Sequence, residues 1–142
     1  MASVYNNKEV NIRTVLTMEP EEIFENMHRM YDDIEVPEII NGPEDLTFIS
    51  KTLGWCTNNK SYLSSLGVYL DIATRALKKS GDKDAYSTMV CRKNIINSYY
   101  EHIDAIYKAC SRQASIYFEQ VQELKEEKRN NAVQNGGGGD WK

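Results

Sequence analysis

Along most of the chain, apolar residues return with the period of an α-helix. Ile23, Phe24, Met27, Met30, Tyr31 and Ile34 fall at i, i+1, i+4, i+7, i+8 and i+11, which is one face of a single helix. Pro20 suits the first turn, where its missing N–H costs nothing, and Glu19, Glu21 and Glu22 complement the positive end of the helix dipole. Pro37 excludes helical backbone at the residue before it, so the pattern predicts a helix from Pro20 to Ile34. A second series steps by three and four through Leu46, Ile49, Leu53 and Cys56, and resumes at Leu63, Leu66, Leu70, Ala73 and Leu77. The polar interval Thr57 to Ser61 separates the two runs. Because Cys56 and Leu63 are one heptad apart, the seam stays in phase and one continuous helix, Asp45 to Lys79, is expected.

Gly81 follows Lys78, Lys79 and Ser80, a glycine after a cationic last turn, and marks the tip of a helical hairpin. The third series runs without Gly or Pro from Asp82 to about Asn130, through Met89, Ile96, Tyr99, Ile103, Ile106, Cys110, Ala114, Tyr117, Val121 and Leu124. At 1.5 Å per residue such a helix is roughly 70 Å long. The doubled step of four at Cys110 to Ala114 is a stutter that relaxes a left-handed supercoil. Residues 1–16 alternate only weakly and read as an extended or disordered arm, residues 17–131 as the helical body, and residues 132–142, with Gly136 to Gly139, as a flexible tail. No internal repeat stands out. The fold class expected is all-α: a long antiparallel helical hairpin with a shorter acidic N-terminal helix packed against it.

Composition narrows the class of molecule. The chain has 142 residues, 41% hydrophobic and 27% charged, enough for one domain with its own core. Three cysteines, Cys56, Cys91 and Cys110, cannot all pair internally, and reduced thiols in a cytoplasmic protein are the simpler expectation. No apolar stretch approaches the roughly 18 residues of a membrane span, and no signal peptide is recognisable. The net charge of −4 is unevenly spread. Between Glu19 and Asp45 ten acidic residues face one base, Arg29, so the rest of the chain is net basic. Small chains rich in Asn, Tyr and Lys also occur in viruses and mobile elements, and a viral protein is among the expectations.

Residues that carry chemistry are sparse. Glu25-x-x-His28 matches half of a helical di-iron site, but the other histidine, His102, has Tyr99 where the second Glu would have to be. The cysteines show no zinc-ligand spacing, and no nucleophile elbow, Walker A or dinucleotide motif occurs. Ser111 and His102 lie more than two turns apart on one helix. A protein without catalytic activity, metal or cofactor is therefore expected.

Three binding readings follow. The first uses the most of the chain: a helical adaptor that self-associates through the end of the third helix, with Tyr117, Phe118, Val121 and Leu124 as the contact, giving a homo-oligomer or a complex with another protein. The second places nucleic acid on the basic hairpin tip, Arg75, Lys78, Lys79, Lys83, Arg92 and Lys93, which lies beside Tyr86 and leads toward Tyr99 and Tyr100 for stacking. The third makes the Glu19–Asp45 segment an acidic mimic of nucleic acid. Trp141, alone beyond the glycine run, reads as a tethered docking residue for a partner.

Overall fold

A computed structural model describes residues 9–37 and 40–132, and it is all-helical among them, in the order α1 (Pro20–Tyr31), α2 (Pro43–Ser80) and α3 (Lys83–Ala132). α1 begins at the expected proline and stops three residues earlier than the apolar spacing predicts, where Asp32 N–H closes the last turn on the His28 carbonyl. α2 passes through Thr57 to Ser61 without a break. The polar side chains there need no bend, because Asn59 is held at the Trp55 carbonyl (2.8 Å) and Thr57 at the Leu53 carbonyl (3.0 Å), within the helix itself. The hairpin turns at Gly81, whose φ of 80° lies in the left-handed region that a side chain makes costly. Asp82 then accepts from the Ala85 N–H (3.1 Å) and caps the start of α3.

α2 and α3 pack along their length through the two apolar seams. Cys56, Leu63, Leu66 and Leu70 of α2 are buried against Met89, Ile96, Tyr99, Ile103, Ile106 and Cys110 of α3. Each fully buried aliphatic side chain contributes about 2 kcal/mol relative to leaving it in water. Two ion pairs fix the register across this interface, Lys60 to Asp104 at 2.7 Å and Lys93 to Asp71 at 2.9 Å. They are reciprocal. Lys60, Asp71 and Arg75 on α2 recur with the same spacing as Lys93, Asp104 and Lys108 on α3, and each Asp also holds the cation four residues on. The seam obeys the same relation, since Cys56, Leu63, Leu66 and Leu70 correspond to Met89, Ile96, Tyr99 and Ile103. The hairpin is thus quasi-two-fold symmetric about its own middle, a repeat faint in sequence because charge and apolar character recur while few residues are identical.

α1 lies on one side of this two-helix layer. Ile23, Met27 and Tyr31 are fully buried, and Tyr31 donates to Asn59 Oδ1 (2.8 Å) while its ring meets Trp55 edge-on. Tyr99 of α3 lies against both Phe24 and Tyr31, and His102 Nε2 contacts the Tyr31 carbonyl at 3.1 Å. The arm differs from its expected extended form. Residues 11–18 turn back on themselves through bonds to the Asn11 and Thr14 carbonyls, and Val10, Val15 and Met18 are buried. Two long-range bonds hold it: Tyr62 Oη to the Val10 carbonyl, and Arg92 Nε to the Met18 carbonyl at 2.6 Å. Weak alternation misses this, because three apolar residues at irregular spacing suffice once the hairpin offers a surface.

Replacing Gly81 by alanine forces a Cβ into left-handed backbone, and a loss of about 1 kcal/mol is expected from urea unfolding. The same change at Gly54, inside α2 with open space around its Cα, is expected to stabilise by about the same amount.

Candidate functional site

The sequence-predicted basic cluster does not stay together. Arg92 is buried and spends its guanidinium on the Met18 carbonyl, so it is a structural anchor of the arm. Lys93 and Arg75 both grip Asp71, at 2.9 Å each. Lys78, Lys79 and Lys83 remain exposed at the tip, interrupted by exposed Asp82 and Asp84. Tyr86 is half-buried beside Lys78 and Lys83 at the tip, whereas Tyr99 is buried against α1 and is not available for stacking. Nor does α1 cover the tip. It packs against α3 near Tyr99 and His102 instead.

The four self-association residues follow one another along the last part of α3: in the register set by the ion pairs, Tyr117 and Phe118 are level with the first turn of α2, Val121 with its first residue, and Leu124 lies beyond it. At 50 residues α3 outruns the 38 residues of α2, and because the two meet at Gly81, the excess of about 18 Å projects beyond the start of α2. Phe118 and Leu124 are 58% and 57% exposed, Tyr117 and Val121 are half-buried, and Tyr117 packs edge-on against Phe118. Ile116 is exposed beside them. Tyr117 still packs against the hairpin core beside the first turn of α2, and beyond it, at Leu124, the seam has no neighbour among the described residues. The described residues of the N-terminal segment, 9–18, are bound to Tyr62 and Arg92 nearer the hairpin's middle. Trp141 lies outside the described residues.

A second exposed surface escaped the sequence reading. The side of the hairpin facing away from α1 carries Lys60, Ser64, Gly67, Asp71 and, from α3, Lys93, Asn97, Tyr100 and Asp104. Between the two ion pairs lies a groove of about 440 Å³ over Gly67, edged by Val68 and Ile72, which are 55% and 60% exposed. Lys60 also stands over the rings of Tyr107 (4.7 Å) and Tyr100 (5.7 Å). Hydrogen bonds from Lys93 and from Lys60 and Lys108 hold Asp71 and Asp104, respectively, below the usual carboxylate range, and the Asp104 bond raises Lys60. The signal that could have found this face is the repeated Lys, Asp, Arg/Lys spacing.

The thiols divide. Cys91 is exposed, whereas Cys56 and Cys110 are buried in the α2–α3 seam, where burial pushes Cys56 up to about 11, with a smaller contribution from Cys110 across the interface. Cys110 is raised by burial as well. Glu22, in the first turn of α1, is buried with one carboxylate oxygen unpartnered among the described residues, near the free N–H groups of that helix end. No cluster of three or more His, Cys, Asp or Glu is placed to hold a metal among the described residues, and no described helix is long and apolar enough to cross a membrane.

Because Asp71 and Asp104 titrate lower folded than unfolded, their pairs stabilise the hairpin above the ordinary carboxylate pKa of about 4 and lose that effect as pH falls through the depressed values. Urea midpoints between pH 7 and pH 3 are expected to fall on the acid side, and an Asp71→Asn/Asp104→Asn variant to show a flatter profile. Arg92→Ala, which strips the Met18 carbonyl of its charged donor, is expected to cost about 2 kcal/mol and to loosen residues 9–18 in hydrogen exchange. No family model, curated protein or solved structure matches the chain, so its function is argued from its own residues.

Proposed function

We propose that the protein is a non-catalytic helical assembly module that self-associates through the free end of α3. The observation that carries this reading is the group of exposed apolar side chains where α3 reaches and then passes the start of α2, with Phe118 and Leu124 more than half exposed and Ile116 beside them. A seam residue left in water forgoes the roughly 25 cal/mol per Å² that its burial would return, and apolar residues grouped on one helix end mark a contact surface. The seam has the three-and-four step of helix-to-helix packing, so its natural occupant is another helix, and a second copy supplies one of matching pattern.

The nucleic-acid reading draws less support from the geometry. Of its six cations one is buried and two share a carboxylate, which leaves three at the tip beside two acids.

Sedimentation of the full chain at high salt is expected to show a discrete oligomer that dissociates on dilution. Phe118→Glu/Leu124→Glu places two charges on the contact and, at high salt where purely electrostatic contacts are screened, is expected to give a monomer of unchanged helix content and unchanged or slightly higher melting temperature. A wild-type chain that sediments as a monomer at every concentration overturns the reading.

A further inference from the structure

A two-helix layer has two grooves, and α1 with the arm fills one of them. The other is open among the described residues, and its chemistry differs from that of the free α3 end. Two carboxylates, Asp71 and Asp104, are each shared by two cations, so the face is net positive, with one cation in excess at either end. Those outer cations, Arg75 and Lys108, are the exposed members of each trio and stand about 28 Å apart along the hairpin. Between them the floor dips at Gly67. A Cβ added there would meet nothing closer than Asn97 Oδ1 at 3.6 Å, an ordinary contact, so packing of α2 on α3 does not require the glycine. A glycine inside a helix costs about 1 kcal/mol relative to alanine, and here the cost leaves an open notch between apolar shoulders, Val68 and Ile72.

The opposite side of the molecule presents the complement. An exposed stripe of α1 is Glu21, Phe24, Glu25, His28 and Asp32, with His28 paired with Asp32 and Phe24 stacked on His28, its ring also against Tyr99 and edging a surface cavity on the flank of α3. Its carboxylates span about 16 Å, and a half-exposed aromatic ring stands among them. An acidic helix of that length fits between cationic ends 28 Å apart, once the reach of the arginine and lysine side chains, about 6 Å each, is counted.

We propose that the open groove of one copy receives the outer face of α1 from a second copy, with Phe24 over the Gly67 notch, its acidic residues between Arg75 and Lys108, and α1 thereby shared by two hairpins. The contact is heterologous: groove and α1 stripe lie on opposite sides of one molecule, so each added copy offers a fresh groove and the stacking either closes into a ring or continues. It rests on the assembly reading and adds to the α3 contact a second, electrostatic one.

The test uses the full chain and mass measurement by light scattering over a range of protein and salt concentrations. The expected result for the wild type is an average mass above that of the contact made by α3 alone, falling as salt rises. Glu21→Gln/Glu25→Gln, which lacks the charged stripe, and Gly67→Leu, which fills the notch, are each expected to weaken this growth at least tenfold. The Gly67→Leu change is also expected to keep or raise the melting temperature, which separates loss of contact from loss of fold. A mixture of the two variants is expected to recover a one-to-one complex, since each retains the half that the other lacks. Variants that match the wild type, in a protein whose oligomer is still broken by Phe118→Glu/Leu124→Glu, overturn this inference and leave the assembly reading standing. A single-stranded oligonucleotide that binds the groove, is lost in Arg75→Glu/Lys108→Glu and is indifferent to Glu21→Gln/Glu25→Gln overturns the occupant named here. A wild-type chain monomeric throughout overturns both readings.

Discussion

The reciprocal pairing of Lys60 with Asp104 and of Lys93 with Asp71 sets the register on which the other contacts depend. Apolar seams alone tolerate sliding, because one buried Leu or Ile serves nearly as well as the next. Charges fixed at two separated points do not, since a shift by one turn leaves carboxylate and ammonium both unpaired at each. With the register held, Trp55 and Asn59 of α2 and Tyr99 and His102 of α3 come within reach of one residue, and together they make the seat for Tyr31 at the end of α1. The same register determines which part of α3 lacks a neighbour. Individually such partly exposed pairs are weak, so they act here through specificity more than stability.

The fold was legible in sequence for reasons that can be traced to particular residues. Pro20 and Gly81 punctuate the chain at positions where their backbone preferences admit few alternatives, and the seam from Met89 to Leu124 repeats often enough to exclude a strand. The polar interval at Thr57 to Ser61 was the doubtful stretch, and the in-phase heptad decided it correctly because helix continuity depends on phase and not on local polarity. The arm was less legible. Val10, Val15 and Met18 are buried by a surface that exists only after α2 and α3 have paired, and no periodicity within residues 9–18 encodes it.

The candidate sites were legible unevenly. The free end of α3 follows from a difference in helix length and from exposed seam positions, both of which one-dimensional pattern reports. The basic tip did not hold, because adjacency in sequence is a poor guide to exposure on a helix: Arg92 and Lys93 are neighbours, yet one turns toward Met18 and the core and the other toward Asp71. The open groove needed both helices in place before the sharing of Asp71 and Asp104 could be seen.

The two core thiols have a consequence for how the molecule's motions can be followed. Cys56 and Cys110 are sealed in the seam and hold their protons well into alkaline solution, while Cys91 is open to solvent. A thiol reagent therefore meets one site at once and the other two only when α2 and α3 part. The chain carries its own clock for hairpin opening. If α1 is clasped between two hairpins, assembly should slow that clock and also slow the reaction of Cys91, which lines the same surface cavity as Phe24, a kinetic signature that a contact confined to the far end of α3 would not produce.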